Sequence, residues 1–362
     1  ALSLLDLRAG DRVILLMPLG VNLFLLRAAC EKAGLPYFLS VHDISERVQR
    51  TAEELKARVV ITDNVERYPE FALPDVRFIS VTSLWGLAEA LSPGEIRSSG
   101  ARLQKASPFH PLQIRASSGT TGLFPRFSHC APCVCCFTQH IRQRRLQITG
   151  EDTIAVFGSY LGAGNGHGYY GFPMIGARIL LLPRAFEIEE CRASLEFALR
   201  KGATIISRTP IMDSLLPEYL PGSSVRLIFN SRPSLEPELA KKLEATSNVK
   251  IVNGYATEFG GISGNYIADS QRSRLETEGT PLDGNEVRIV SPDGSPQPAG
   301  QEGIIQVRGL HAHPGYFNRP EEDQKRWASG WFDTRDWGYL DEEGRLSLLG
   351  RLDQEGRVIK WR

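Results

Sequence analysis

Short apolar runs alternate with amphipathic stretches along the first part of the chain. Residues 12–17, 37–41 and 58–62 are apolar runs of strand length. Residues 22–33 and 44–57 have the spacing of amphipathic helices instead. Alternation of buried strands with helices predicts helices that cover a largely parallel sheet.

The same pattern resumes after a connection rich in Ser, Gly and Pro at 91–111. Further strands are predicted at 152–157, 178–182, 203–207, 225–230 and 249–252, and a helix at 237–245. After about residue 266 the strands become short and alternating, with turn signals between them, at 286–290, 303–307 and 345–349. That change predicts a small antiparallel unit, either a barrel or an open sheet. Of the two we predict a β-barrel.

We therefore predict an α/β protein with two α/β subdomains, at 1–105 and 106–265, whose sheets are mostly parallel. A small antiparallel β-barrel subdomain is predicted at 266–350. The length of 362 residues exceeds that of one ordinary domain, which agrees with several packed units.

Charge and hydropathy narrow the class of partner. The chain has 42 Lys plus Arg and 42 Asp plus Glu, so its formal net charge is zero. An excess of basic residues favours binding to nucleic acid or to an anionic membrane, and this chain has none, so we expect neither. No run approaches the roughly 20 apolar residues of a membrane span, and no signal-peptide pattern is present in the sequence. We predict a cytoplasmic protein.

Four of the six cysteines are clustered beside two histidines. They are Cys130, Cys133, Cys135 and Cys136, with His129 and His140. A zinc site would normally need a second ligand pair at a defined distance. Cys30 and Cys191 each stand alone. Because cysteine also behaves as a small apolar residue, we interpret the cluster as helix packing rather than a metal site.

The strongest local motif is a loop rich in Gly and hydroxyl groups that follows a predicted strand at 112–116. It consists of Ser117, Ser118, Gly119, Thr120, Thr121 and Gly122, followed by Pro125 and Arg126. Such a loop can direct backbone N–H groups and hydroxyls at phosphate oxygens. It lacks the spacing of a Walker A loop, and alone it would also suit a surface turn.

Further motifs follow in a fixed order. They are Asn253-Gly-Tyr-Ala-Thr257-Glu258, Gly279-Thr-Pro-Leu-Asp-Gly284, Gly303-Ile-Ile-Gln-Val-Arg-Gly309, Gly315-Tyr-Phe-Asn-Arg-Pro320, Trp331-Phe-Asp-Thr-Arg-Asp336 and Leu349-Gly-Arg351-Leu-Asp353. Together with the loop, this order resembles the adenylate-forming superfamily of acyl- and aryl-CoA ligases, luciferases and peptide-synthetase adenylation domains. The resemblance covers nearly the whole chain.

The resemblance implies a role for each matching residue. The loop residues Ser117–Gly122, with Thr120 and Thr121 catalytic and Arg126 nearby, would hold the phosphates of ATP. Glu258 would bind Mg²⁺, Asp336 would accept the ribose hydroxyls, and Arg351 would contact ribose or phosphate. The nucleotide would also touch Asn253, Gly254, Tyr255 and Thr257, with Tyr255 against adenine.

The resemblance also suggests the substrate pocket. Its candidate residues are Tyr160, Gly164, His167, Ser231 and Ala256. Phe157 is followed by Gly158, where the peptide-synthetase pattern has an aspartate for the α-ammonium group. Burying an unpaired ammonium is unfavourable, so we expect an aryl or acyl acid rather than an α-amino acid.

Several positions depart from the family pattern. Arg126 replaces a lysine, Gly254 and Tyr255 stand in reversed order, and Arg335 replaces the commoner glycine. The segment 230–233 also differs from the usual turn beside adenine. These departures affect the adenine contacts more than the phosphate contacts. We further expect the chain to be part of a longer protein, with 351–362 as a hinge to a C-terminal lid.

The implied function is ATP- and Mg²⁺-dependent activation of a small carboxylic acid to an acyl-AMP. Transfer to a thiol, of CoA or of a carrier protein, would follow. A non-catalytic homologue that binds nucleotide or acyl groups is the alternative.

A second, less favoured alternative is a nicotinamide-dependent dehydrogenase. It is suggested by the Gly-x-Gly-x-x-Gly pattern at 166–171 with Glu187 downstream. Residues 172–177 are too few for the crossover helix that this fold requires.

Overall fold

The chain forms two compact units in a computed structural model. It describes residues 2, 5–8, 10–18, 20–40, 45–67, 75–92, 94–95, 110–116, 127–157, 173–183, 185, 187–230, 235–312 and 315–361. The described residues within Ala1–Ala116 and Phe127–Cys133 belong to unit 1, and those within Val134–Arg362 belong to unit 2. The finer division predicted from the sequence stays a prediction.

Unit 1 is built on one six-stranded sheet. In chain order its elements are β1 (Arg12–Leu16), α1 (Val21–Ala33), β2 (Tyr37–Ser40), α2 (Ser45–Leu55), β3 (Ala57–Thr62), β4 (Arg77–Ser80), α3 (Val81–Glu89), β5 (Gln113–Ala116) and β6 (Phe127–Cys130). The strand order is β4-β3-β1-β2-β5-β6. Its neighbours pair in parallel except β5 with β6.

The elements of unit 1 follow from its apolar pattern. The last four residues of β1 are buried, as expected for a strand of a parallel sheet covered on both faces. Helix α1 buries Leu23, Leu26 and Cys30, which recur at helical spacing on one face. It ends at Gly34, whose φ of 67° lies in the left-handed region that glycine adopts at low cost.

Unit 2 contains two sheets. In chain order its elements are α4 (Pro132–Leu146, whose first two residues belong to unit 1), β7 (Thr153–Phe157), β8 (Arg178–Leu182), α5 (Ile188–Arg200), β9 (Ile205–Ser207), α6 (Leu216–Tyr219), β10 (Leu227–Asn230), α7 (Pro237–Thr246), β11 (Lys250–Thr257), β12 (Gly260–Gly264), α8 (Gln271–Glu276), β13 (Thr280–Pro281), β14 (Asn285–Val290), β15 (Gly303–Gly309), α9 (Pro320–Arg326), β16 (Trp327–Ala328), β17 (Trp331–Leu340), β18 (Leu346–Leu352) and β19 (Val358–Lys360).

The seven-stranded sheet of unit 2 has the order β13-β12-β11-β10-β9-β7-β8. Strands β7 to β11 pair in parallel, and β12 and β13 extend the sheet in antiparallel fashion. The sequence placed a strand at 249–252, but β11 runs on to Thr257. The small residues Gly254 and Ala256 obscured this continuation, because they have weak strand propensity.

The second sheet of unit 2 is antiparallel and open. Its order is β14-β15-β17-β18-β19, with β16 paired to β17. The predicted β-barrel is therefore wrong, because closure requires the first and last strands to pair. One face of this sheet buries Ile305 and Phe332 in a core shared with Tyr255 and Phe259. An antiparallel sheet can leave its other face to water, so burial does not demand closure.

The helices of unit 2 pack on the parallel strands. Ala155, Ile206, Ile228 and Ile251 form a buried core with residues of α5 and α7, including Leu195 and Leu243. Among the described residues, no helix is long and apolar enough to cross a membrane. Of the four clustered cysteines, Cys133, Cys135 and Cys136 lie on α4, whereas Cys130 is the last residue of β6.

Candidate functional site

The residues predicted to bind nucleotide and substrate divide into two groups. Those outside the described residues are Ser117, Ser118, Gly119, Thr120, Thr121, Gly122, Arg126, Tyr160, Gly164, His167 and Ser231. Those within the described residues are Asn253, Gly254, Tyr255, Ala256, Thr257, Glu258, Asp336 and Arg351. All residues of the second group lie in unit 2.

A tight turn after β11 places Glu258. The Thr257 hydroxyl accepts a hydrogen bond from the Phe259 N–H at 3.1 Å, and this contact closes the turn. Gly260 follows with φ of 138°, and a Cβ there would lie 2.2 Å from the His311 carbonyl oxygen. Only glycine fits that position, so the chain reverses sharply and leaves Glu258 at the tip of the β11–β12 hairpin.

The Glu258 carboxylate is already bound by two donors. Its Oε1 accepts hydrogen bonds from the Tyr316 hydroxyl at 2.8 Å and from Arg326 Nη2 at 3.0 Å. Burial alone raises the pKa of Glu258, but Arg326 and the Tyr316 hydroxyl outweigh it and lower the pKa below its usual range. Glu258 is therefore a carboxylate anion at neutral pH.

Asp336 lies on β17 directly opposite Arg351 on β18. Arg351 Nε donates to Asp336 Oδ1 at 2.6 Å, and the Tyr255 hydroxyl donates to Asp336 Oδ2. The Asp336 N–H donates to the Thr334 hydroxyl at 3.0 Å, which in turn donates to the Ile305 carbonyl. The Asp336 side chain is 2% exposed and that of Arg351 is 34% exposed, so the guanidinium is the more accessible of the two groups.

Tyr255 connects the two sheets of unit 2. Burial and the Asp336 charge raise the pKa of its hydroxyl well above the ordinary range, so it stays a donor. Its ring belongs to the core around Phe332. Stacking against adenine therefore stays a prediction, since the described contacts of Tyr255 are with core residues and Asp336.

Arg335 occupies a position that favours glycine. Its φ is 60°, in the left-handed region, and its N–H donates to Asp333 Oδ1 at 2.7 Å. Its guanidinium donates to the Asp353 carbonyl. A glycine would adopt this conformation without steric conflict, which gives a physical reason for the commoner Thr-Gly-Asp pattern.

Asn253 and Gly254 are buried residues of β11. Asn253 accepts from Asn230 Nδ2 at 2.7 Å and donates to the Leu275 carbonyl at 3.0 Å. A Cβ on Gly254 would lie 3.3 Å from the ring of Phe229. These contacts tie β11 to β10, and direct contact of either residue with nucleotide stays a prediction. Ala256 is partly exposed.

The structure thus brings Tyr255, Glu258, Asp336 and Arg351 into one cluster, in which the Arg351 charge also acts on Glu258. Sequence reasoning missed the role of Arg326. It lies in a polar helix with an acidic first turn and a basic last turn, a pattern typical of a solvated surface. Tyr316 lies within the Gly315–Pro320 motif, and that motif was the only sequence signal for its role.

The cluster has the donor chemistry for a divalent cation and a nucleotide. An ionised carboxylate suits Mg²⁺, which binds through one or two carboxylates plus substrate phosphates. Within the described parts of the chain, no group of three or more His, Cys, Asp or Glu residues is placed to hold a metal by itself. Glu258 would therefore share a cation with phosphate oxygens.

Comparison with known proteins decides the family. A family model described as AMP-binding enzyme matches residues 1–317. The chain belongs to this family. The predicted resemblance is thereby confirmed, and the dehydrogenase alternative loses its support because the match includes residues 166–171.

Members with curated names resemble this AMP-binding enzyme over most of its length. The p-hydroxybenzoic acid–AMP ligase FadD22 of Mycobacterium tuberculosis is 28% identical over 360 residues, 96% of this chain and 48% of that protein. The anthranilate–CoA ligase of Pseudomonas aeruginosa is 27% identical over 365 residues, 97% of this chain and 69% of that protein. The chain thus spans about half of the first relative and about two thirds of the second.

Solved structures resemble the fold. The o-succinylbenzoate CoA synthetase MenE of Bacillus subtilis, in complex with ATP and magnesium ion, superimposes with a TM-score of 0.81 at 21% identity. That match covers 99% of this chain and 74% of MenE. VinN superimposes with a TM-score of 0.82 at 22% identity, covering 96% of this chain and 88% of VinN. The predicted α/β architecture with mostly parallel sheets is confirmed.

Proposed function

We propose that the full-length protein activates a carboxylic acid with ATP and releases pyrophosphate. The observation that carries the proposal is the cluster of Glu258, Asp336 and Arg351 in a member of the AMP-binding enzyme family. Two carboxylates and a partly exposed guanidinium can bind a nucleotide together with its counter-ion. Names of relatives that act on p-hydroxybenzoic acid and anthranilate support the same reaction class.

In this proposal, Asp336 and Arg351 hold the nucleoside. Oδ1 of Asp336 accepts from Arg351 and Oδ2 accepts from Tyr255. A carboxylate oxygen has two lone pairs, so both oxygens retain acceptor capacity for ribose hydroxyls. The 34% exposed Arg351 faces outward and can donate to ribose or phosphate oxygens. The phosphates would lie against Ser117–Gly122 and Arg126.

The chemical step joins the acid to the α-phosphate. A carboxylate oxygen of the substrate attacks the α-phosphorus, the bond to the bridging oxygen breaks, and pyrophosphate leaves with that electron pair. Mg²⁺, when bound, neutralises the phosphate charge, and Glu258 would supply its protein oxygen. In a second step a thiolate sulfur attacks the acyl carbonyl and AMP leaves. The thiol belongs to CoA or to a carrier protein.

The substrate class is an aryl or acyl acid without an α-amino group. Gly158 provides no carboxylate for an ammonium group. The pocket for the acid is proposed to be lined by Tyr160, Gly164, His167, Ser231 and Ala256. We expect aromatic acids to react best. Because ATP and thiol acceptors such as CoA are available in the cytoplasm, the reaction is proposed to occur there.

Acid-dependent pyrophosphate release tests this function. The full-length protein is incubated with ATP, Mg²⁺ and a panel of benzoic, cinnamic, aliphatic and α-amino acids. Release above background with aryl or aliphatic acids, and none with proteinogenic amino acids, is expected. Nucleotide binding without release for any acid would favour the non-catalytic alternative, and a clear preference for an amino acid would overturn the substrate class.

A further inference from the structure

Arg326 is positioned to neutralise Glu258 from within the protein. Its Nη2 lies 3.0 Å from Glu258 Oε1, and the two side chains are 10% and 17% exposed. An ion pair this far from bulk water is weakly screened by salt. The negative charge proposed to bind a cation therefore already has a cationic partner.

The surroundings hold Arg326 in this place. Its guanidinium carbon lies 4.8 Å from the centre of the Phe332 ring, within the range of a cation–π contact. Its Nε is buried and has no hydrogen-bond acceptor among the described residues. A buried guanidinium with an unsatisfied donor depends strongly on its carboxylate partner. Arg326 therefore gains from Glu258 as much as Glu258 gains from it.

The position of Tyr316 reinforces the pair. Gly315 has φ of 135°, and a Cβ there would lie 2.6 Å from Asp323 Oδ2. Asp323 Oδ1 accepts from the Tyr316 N–H at 2.8 Å, which places the tyrosine hydroxyl on Glu258. Both donors reach the same oxygen, Oε1. The carboxylate is thus oriented before any ligand binds.

The other charged groups around Glu258 leave the site close to electrically neutral. Arg351 acts on Glu258 as a second cation, and its own partner is Asp336. The charges of Glu258 and Arg326 therefore cancel, as do those of Asp336 and Arg351. A divalent cation that approached Glu258 alone would meet two guanidinium groups and little uncompensated negative charge.

We propose that Arg326 is an internal counter-ion that competes with the divalent cation for Glu258 and makes cation binding depend on the nucleotide phosphates. The inference rests on the proposed function. Without nucleotide, Arg326 occupies the carboxylate and cation affinity is low. With nucleotide bound, the phosphates supply the negative charge that lets a cation share Glu258. Arg326 is thus a positioning residue that sets cation affinity.

The test uses Mn²⁺ as a spectroscopic probe. Binding of Mn²⁺ to the full-length protein, with a non-hydrolysable ATP analogue present, is measured by electron paramagnetic resonance. Removing the charge with Arg326→Met is expected to tighten Mn²⁺ binding about tenfold, the lower end of what one nearby charge does to a titrating group. Arg326→Lys keeps the unit charge near Glu258, so its Mn²⁺ affinity is expected to stay within about twofold of wild type.

Arg326→Gln guards against loss of folding in the methionine variant. Glutamine can still donate a hydrogen bond to Glu258 but has no charge, so it carries the same expectation as methionine. Arg226→Met is the matched control, because Arg226 pairs with Asp152 at 2.7 Å and directly precedes β10, whereas Glu258 follows the far end of the neighbouring strand β11. It should leave Mn²⁺ affinity unchanged.

The outcomes separate the two proposals. Unchanged or weaker Mn²⁺ binding in the folded Arg326→Gln protein, with analogue affinity intact, would overturn the counter-ion role and leave the proposed function standing. Failure of the wild-type protein to bind the analogue at all would overturn both. Tighter Mn²⁺ binding in Arg326→Gln and Arg326→Met, but not in Arg326→Lys or Arg226→Met, supports the inference.

Discussion

Two carboxylates of the candidate site are each bound by one arginine and one tyrosine hydroxyl. The two sets are Asp336 with Arg351 and Tyr255, and Glu258 with Arg326 and Tyr316. Their chemistry is the same, but the backbone holds them differently. The comparison shows how one set of side chains can serve two purposes.

The first set is held by a β-ladder. Asp336 and Arg351 face each other across β17 and β18, so the hydrogen bonds of the sheet fix their separation. The carboxylate is almost fully buried and the guanidinium is partly exposed. This set cannot rearrange without disturbing the sheet, which suits recognition of a rigid group such as ribose.

The second set is held by side-chain reach. Glu258 lies in a turn, and Arg326 is the last residue of the short helix α9. Among the described residues, no backbone pairing joins the two segments, so the side-chain conformations set the distance between the carboxylate and the guanidinium. This set suits a carboxylate that Arg326 can share with a bound cation.

The largest effect is expected at the turn-held carboxylate. Glu258→Gln keeps the shape and removes the charge, so adenylation by the full-length protein should fall at least about 100-fold, the scale of losing one preorganised electrostatic contact. Acid-dependent pyrophosphate release measures it. Glu238→Gln, on the exposed face of α7, is the control and should behave as wild type. Near-normal turnover at ordinary Mg²⁺ would remove Glu258 from the proposed role.

Loss of Arg351 should lower the free energy of unfolding more than loss of Arg326 does. Arg351→Met leaves Asp336 buried without its cationic partner, and should lower the free energy of unfolding by about 3 kcal/mol. Arg326→Met leaves Glu258, which is closer to solvent, and should lower it by only about 1–2 kcal/mol. Urea unfolding measures both. The double variant Asp336→Asn/Arg351→Met should recover much of the loss, and a larger loss for Arg326→Met would contradict the comparison.

The two tyrosine hydroxyls give a finer version of the same contrast. Tyr255→Phe removes a buried donor from Asp336 and should lower the free energy of unfolding by about 2 kcal/mol. Tyr316→Phe should lower it by about 1 kcal/mol, because water can replace the hydroxyl on the more exposed Glu258. Equal losses in urea unfolding would mean that the two carboxylates are equally enclosed.

The smallest effect concerns pH. The pKa of Glu258 is lowered in the folded protein, so the unfolded chain binds its proton more tightly. The stabilisation is fully present above the ordinary glutamate pKa of about 4.3 and is lost as pH falls through the lowered value. The stability difference between wild type and Glu258→Gln should therefore be constant at neutral pH and shrink in acid. A difference that grew with acidity would show the opposite sign of shift.

Local patterns carried much of the prediction. Apolar runs and a glycine stop are local signals, and they placed β1, α1 and β8 within a residue of their observed bounds. The ordered motifs indicated the family and identified Glu258, Asp336 and Arg351, which the structure brings together. Contacts of the loop at 117–126 with nucleotide stay predictions.

Local sequence patterns did not predict the pairing between segments that are distant in the chain. Alternation predicted short antiparallel strands after residue 266, but whether β14 meets β19 depends on strand order, which alternation does not encode. The small residues of β11 likewise gave no strand signal, although the sheet extends through them. Tertiary pairing overrode weak local propensity there.

By itself, the sequence determined the α/β class and the family, and it predicted the two site carboxylates, because these follow from short-range periodicity and from motifs of consecutive residues. Only the tertiary structure decided which cation faces which carboxylate. Arg351 is 15 residues from Asp336, within one hairpin, whereas Arg326 is 68 residues from Glu258. A contact across that separation depends on how a helix end packs against a hairpin turn, and a helix of ordinary surface composition does not reveal it.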